Sequence, residues 1–184
     1  MIIVGIDEAG RGPLAGPVVS AAVILEMSID GIDDSKKLSA EKRGFLYDEI
    51  LSKGKIGVGI ASVEEIDEIN ILNATMLSME RAYYNLNIEA NLILVDGNKA
   101  PKIKCEEVKV IVGGDAIEYV ISAASIIAKV TRDRIMHELD LIHPEYMWKN
   151  NAGYGTKAHI EAIEKYGITQ YHRRSFSPIR GSSS

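Results

Sequence analysis

The chain has 184 residues, 46% apolar and 26% charged, the proportions expected of a soluble globular protein whose one core buries about two-thirds or more of its unfolded surface. No run of about eighteen apolar residues appears, which excludes a membrane-spanning helix, and a lone cysteine, Cys105, excludes an internal disulfide and a four-thiolate zinc site. The net charge of −5 argues against a uniformly basic nucleic-acid binder, yet it leaves room for one basic face beside an acidic metal pocket.

Residues 1–6 carry no basic leader and run directly into acids, so they are expected to form a core strand of a cytoplasmic protein rather than a secretory signal. Short Val- and Ile-rich runs at 2–6, 17–25 and 56–61, punctuated by Gly, Pro, Asp or Ser, predict three strands. Between the second and third, Leu46 and Ile50 lie four residues apart, and Ser39 is placed to cap a helix over 39–53. Ser62-Val63-Glu64-Glu65 has the spacing of a capping box and opens a short helix, with a longer one expected over 74–86. Strands at 91–95 and 107–112 come next.

After Gly113-Gly114, residues Ile117, Val120, Ile121, Ala124, Ile127 and Ala128 form the apolar stripe of a central helix. Asp115 is expected to open it as N-cap, and Pro144 to end it. The small residues Ser122, Ala123, Ala124 and Ser125 would let a sheet approach closely. A final helix over 156–166 stops at Gly167, and the closing Gly-Ser-Ser-Ser reads as a tail. With no repeat and no linker, a single domain over 1–184 is expected. The element order points to an α/β fold: a mixed, partly antiparallel sheet with helices on its faces, binding its ligand beyond strand ends.

Acids stand at such ends. Asp7 and Glu8 follow the first strand and precede Gly10-Arg11-Gly12. Asp96 closes the run Leu92-Ile93-Leu94-Val95, and Asp115 follows Gly113-Gly114. Each has a bland reading: an acidic turn, an Asp-Gly turn, a helix cap. Neighbours on a strand point to opposite faces, so Asp7 and Glu8 share a site only if the chain kinks at or after them, which the glycines permit. Three strand ends converging would place like charges in one pocket, where each raises the others' pKa unless a cation offsets them. Oxygen-only ligands point to Mg²⁺ or Mn²⁺. Two such ions about 4 Å apart suit phosphodiester hydrolysis.

The run Gly5-Ile6-Asp7-Glu8-Ala9-Gly10-Arg11-Gly12-Pro13 resembles the opening motif of the type II ribonucleases H. The resemblance continues through Asp34-Ser35-Lys36-Lys37-Leu38, Val95-Asp96-Gly97, Gly114-Asp115, residues 122–133, Gly153-Tyr154-Gly155-Thr156-Lys157 and His172-Arg173-Arg174-Ser175-Phe176, covering nearly the whole chain in order. It implies the ribonuclease H fold, with a five-stranded mixed sheet and a small helical C-terminal segment, 144–184, that binds substrate. It implies Asp7, Glu8, Asp96 and Asp115 as metal-binding catalytic acids holding two Mg²⁺ or Mn²⁺ ions in the substrate complex. It implies an endonuclease that cuts the RNA strand of RNA–DNA hybrids and cuts 5′ of ribonucleotides embedded in duplex DNA, removing them and leaving 3′-hydroxyl and 5′-phosphate ends. A monomer is expected.

In such enzymes Gly10-Arg11-Gly12 would contact the ribonucleotide around its 2′-hydroxyl, the group that marks a ribose. Tyr154 would pack on the sugar beside it. Ser35, Lys36, Lys37, Lys129, Arg132, Lys157, Arg173 and Arg174 are candidates for backbone phosphates, Lys36 and Lys157 foremost. Asp133 is a weaker rival for the fourth acid: on one continuous helix it would lie roughly 27 Å from Asp115, too far to share its site, and it is expected to partner a neighbouring basic group. His159 and His172 stay outside the catalytic set, because water activated by metal needs no histidine base. The family's longer C-terminal extension is largely missing, which would weaken substrate grip, and a start at the first strand favours type II over type III. Two rival readings are a non-catalytic hybrid-binding module and an ATPase of the same broad fold; the latter lacks a Walker-type loop.

Overall fold

A computed structural model describes residues 1–32 and 37–181. Its centre is a five-stranded sheet built from β1 (Ile3–Ala9), β2 (Val18–Leu25), β3 (Gly54–Ala61), β4 (Leu92–Asp96) and β5 (Glu107–Ile111), in the order β3-β2-β1-β4-β5. The first three strands pair antiparallel as a meander, and β4 and β5 add in parallel on the other side of β1. The chain thus leaves β1 in one direction and returns on its opposite flank, so the crevice beyond β1 and β4 is a topological switch point. The expected mixed sheet is present. Its first strand is longer than the apolar run alone suggests, because Asp7 and Glu8 are still paired to Ala21 and Ser20 of β2.

Strand alternation divides the core into two layers. Val4 and Ile6 of β1, Ala22 of β2 and Ile93 and Val95 of β4 pack under Met79, Ala82, Tyr83 and Leu86 of α2 (Val63–Leu86). On the other face, Ala21 and Val23 meet Leu46 and Ile50 of α1 (Ala40–Lys53) and Ala123, Ala124, Ile127 and Ala128 of α3 (Tyr119–Ile142). By the same alternation, Gly5, Asp7, Leu94 and Asp96 belong to the α3 face. The stripe of small residues does let α3 lie close: a Cβ on Gly5 would come 2.8 Å from the backbone nitrogen of Ile121.

The caps follow the sequence closely. Ser39 accepts the Lys42 amide, and Ser62 and Glu65 form the reciprocal capping box. The helix after Ser62 breaks at Asn70, which has φ 71° and whose side chain accepts the Asn73 amide, so a second run restarts there a little before the expected 74. Thr156 caps α5 (Lys157–Tyr166), and Gly167 ends it. One expectation fails. Asp115 does not cap α3, which begins at Tyr119 with Glu118 as its cap residue and no side-chain cap bond; Asp115 sits earlier, in the 3-10 turn Gly114–Ala116. Beyond α3, a 3-10 turn at Pro144–Tyr146 and the short α4 (Trp148–Asn151) were not visible as a periodic pattern, being shorter than one apolar repeat.

Close approach of β1 and α3 is what sets the site below. Gly5→Ala should therefore lower stability by about 1–3 kcal/mol, the usual cost of overpacking. Equilibrium unfolding in urea measures it; an unchanged midpoint would mean the helix can retreat freely.

Candidate active site

β1 and β4 pair only as far as Ile6 and Val95, while β1 stays on β2 through Ala9. Asp7 and Asp96 are the next residues on each strand, side by side in register on the α3 face. Glu8 is of opposite parity, but it lies on the edge that β4 has left open. One carboxylate oxygen from each of Asp7, Glu8 and Asp96 lies within 4.8 Å of the others. The kink that the glycines were expected to allow comes directly after, at Gly10 with φ 98°, and the Glu8 amide turns back to donate to Asp7 Oδ1 at 2.8 Å.

This crowding is electrostatically costly. Asp7 is 4% exposed; burial first, then the Glu8 and Asp96 carboxylates, hold its pKa well above the ordinary range. Burial also raises Glu8, against the opposing pull of its bond to Asp7 and of Arg11, whose guanidinium stands 3.8 Å away. Glu8 Oε2 and Asp96 Oδ1 are buried without a hydrogen-bond partner. Buried carboxylate oxygens left this way are acceptors shaped for a cation, and an all-oxygen donor set suits Mg²⁺ or Mn²⁺.

The three acids open into a cavity of about 440 Å³ under α3. Asp115 lines it, 5% exposed, although it is not one of the three within the 4.8 Å radius. The Ser122 hydroxyl donates to the Asp115 backbone carbonyl and ties its turn to α3. Asp133 lines the cavity too, although it stands well along α3 from the Asp115 turn and is not one of the three acids within the 4.8 Å radius. The reason is that α3 starts after the Asp115 turn and runs alongside β1, from Gly5 near Ile121 to Gly10 near Arg132, so the cavity extends along the helix.

Gly10, Arg11, Gly12 and Tyr154 form the mouth. Tyr154 is 47% exposed, and a Cβ on Gly12 would come 3.3 Å from its ring. Lys129 and Arg43 are basic groups on the wall. Arg43 was missed: it stands in the first turn of α1, where an isolated Arg reads as solvated.

Two expected phosphate ligands are corrected. Arg132 and Arg173 are buried and grip backbone carbonyls instead. Arg132 donates to Ala15, Pro17 and Ala152, and Arg173 to Gly10, Arg11, Gly16 and Pro17, with the Phe176 ring 4.9 Å from its guanidinium carbon. Burial lowers them to about 10 and about 9, so both stay charged at neutral pH. The carbonyls of Gly10, Arg11, Ala15, Gly16 and Pro17 thus turn towards two guanidinium groups. Arg174 is exposed, its amide and that of Ser175 held by Asp67. Lys157 is exposed at the start of α5, 3.8 Å from Glu161 and outside the cavity lining. Ser35 and Lys36 lie outside the described residues.

A buried carboxylate fork at a sheet's switch point, opening on a basic-walled cleft, defines a metal-dependent nuclease of the ribonuclease H type. A family model, Ribonuclease HII, matches residues 4–179. A ribonuclease HII of Wolbachia pipientis (strain wPip) is 58% identical over 182 residues, covering 97% of this chain and 92% of that one. Among solved structures, the ribonuclease HII of a PCNA complex from Archaeoglobus fulgidus superposes with a TM-score of 0.81 at 26% identity, over 96% of this chain and 95% of that one. Ribonuclease H2 of Pyrococcus horikoshii gives 0.78 at 28% identity, over 98% and 96%. The chain belongs to the ribonuclease HII family and is a metal-dependent endoribonuclease acting on RNA–DNA hybrids, which sets aside both rival readings.

Burial, then the neighbouring His159 and His143, lowers His172 to about 3. A base whose folded value lies below its unfolded value of about 6.5 gives stability that is fully present above that pH and is lost as pH falls towards 3. Urea unfolding should therefore show stability declining below pH 6 by up to about 1.4 kcal/mol per pH unit for this proton, and His172→Gln should flatten the decline. An equal slope in both proteins would contradict a buried neutral His172.

Proposed function

We propose that Asp7, Glu8, Asp96 and Asp115 are the catalytic acids, holding Mg²⁺ or Mn²⁺, one ion at the tight triple and a second when substrate is bound. The observation that carries this reading is the set of three carboxylate oxygens within 4.8 Å. Held there, such ions would supply an acidified water as nucleophile and electrostatic stabilisation of the charge that develops in an in-line displacement. The rest falls to the chain. Asp7 and Asp96 orient the donor set from parallel strands, Glu8 closes it from the open edge, and Asp115 faces the incoming phosphate from the cavity wall.

Ribose selection is assigned to Gly10-Arg11-Gly12. Arg173 takes the carbonyls of Gly10 and Arg11 at 2.5 and 3.0 Å. In a planar trans peptide the N–H points opposite to the C=O, so the amides of Arg11 and Gly12 are turned away from Arg173, towards the mouth, where a 2′-hydroxyl can accept from them. Tyr154, lying over Gly12, stacks on the neighbouring sugar and favours cutting 5′ of a ribonucleotide at an RNA-to-DNA junction. Lys129 and Arg43 take flanking phosphates, with Lys36 and Lys157 further along the strand. The product ends are 3′-hydroxyl and 5′-phosphate. We assign the protein to the cytoplasm as a monomer, a single domain whose 144–184 segment carries substrate contacts, with ribonucleotide removal from DNA as its role.

Cleavage of a DNA duplex containing one ribonucleotide, with and without divalent ion, tests the whole reading; cutting that persists in chelator would overturn it. Asp7→Asn should abolish cleavage. Because it removes one of three crowded charges, it should also raise metal-free stability by on the order of 1 kcal/mol and remove the stabilisation that added Mg²⁺ gives the wild type. A metal-free melting temperature lower than wild type would argue against the crowding. Tyr154→Ala should slow junction cutting more than cutting within long hybrids, and equal slowing on both would refute a junction-reading ring.

A further inference from the structure

Behind Tyr154 lies a buried chain of hydrogen bonds that the reaction does not use. Trp148 Nε1–H can only donate, and it does so to His159 Nε2 at 3.1 Å. That nitrogen is therefore bare, and the proton of His159 sits on Nδ1, which donates to the Tyr154 carbonyl at 2.8 Å. His172 Nε2 lies 3.0 Å from the same acceptor, so it must be the protonated nitrogen. Its Nδ1 is then free to accept the Thr169 amide at 2.9 Å. Any other tautomer sets two N–H groups or two lone pairs against each other inside the core. Both rings are fully buried, where such a clash has no water to relieve it.

The chain ends on a residue of the cavity mouth. The carbonyls of Ala152, Gly153 and Tyr154 are taken in succession by Arg132 Nη1 at 2.7 Å, the Leu14 amide at 2.8 Å and His159 Nδ1. The left-handed backbone at Ala152 and Gly153, with φ 52° and 87°, is thereby over-determined by contacts. Only the Tyr154 ring projects outward, over Gly12.

We infer that His159 and His172 are positioning residues: a Thr169–His172–His159 relay fixes the Tyr154 ring before substrate arrives, and so sets the preference for the junction. The inference deepens the proposed reading of Tyr154 and rests on it. His159 touches no reacting atom; it acts through the backbone of Tyr154. Holding a contact group in place in advance lowers the cost of ordering it in the transition state. The effect therefore belongs in kcat at the junction rather than in hybrid binding.

The test compares cutting at one ribonucleotide in a DNA duplex with cutting inside a long RNA–DNA hybrid. His159→Leu should lower the junction-to-hybrid ratio of kcat about tenfold, the scale of one orienting hydrogen bond. His159→Asn, whose amide donates from the place of Nδ1, should restore most of it. An unchanged ratio, equal loss on both substrates or no rescue by Asn would overturn the relay. Tyr154→Ala run in parallel separates the failures. If its ratio is also unchanged, the reading of Tyr154 falls and takes the relay with it; if it drops while His159→Leu keeps the wild-type ratio, only the relay falls. Should His159→Leu not fold, His172→Leu is read the same way, with a loss of about threefold expected and no loss overturning the inference. Nitrogen NMR of the wild-type rings must also show His159 protonated at Nδ1 and His172 at Nε2; the reverse tautomers would overturn it.

Discussion

Parallel neighbours β1 and β4 part company after Ile6 and Val95, and the meeting of Asp7, Glu8 and Asp96 depends on that fork. A parallel register brings Asp7 and Asp96 level with each other, and the parting leaves no strand to cover the Glu8 edge. Three carboxylates so close repel one another, and burial sharpens the repulsion. Flexible side chains would separate if their strands allowed it. They are held because Val4, Ile6, Ile93 and Val95 are locked into the layer beneath α2, while Gly5 lets α3 press on the other face. The apolar core does electrostatic work here: it keeps charges together that would otherwise disperse.

Two buried cations organise the loop that follows these acids. Arg132 and Arg173 have no carboxylate partner within salt-bridge distance among the described residues, and they are solvated instead by backbone carbonyls. Desolvation is tolerable because a guanidinium presents five donors in a fixed fork, and Arg132 makes three such bonds and Arg173 four. The loop from Gly10 to Pro17 is shaped around them. One pair of side chains thus dictates which way the loop's carbonyls and amides face.

Much of this was legible in the sequence. All five strands, the Ser39 and Ser62 caps and the strand-end acids Asp7, Glu8 and Asp96 stand where composition and punctuation place them, because strand ends and caps are local chemistry. What was not legible was long-range. Asp115 reads as a helix cap beside its glycines, yet the turn Gly114–Ala116 closes first and α3 begins at Tyr119. Arg132 and Arg173 look like surface cations in a nucleic-acid enzyme. Only the folded chain shows them 115 and 163 residues from the carbonyls they hold. Asp133 lines the same cavity only because a strand is laid beside its helix, which spacing along the helix does not reveal. Arg43 gave no local signal at all.

The span between Gly10 and Arg173 bears on how the enzyme is made. The loop that shapes the cleft is synthesised 163 residues ahead of its anchor. At typical ribosomal speeds it waits roughly ten to thirty seconds for that partner. A nascent chain therefore carries Asp7 and Glu8 for that interval beside a loop whose Gly10 and Arg11 carbonyls Arg173 does not yet hold.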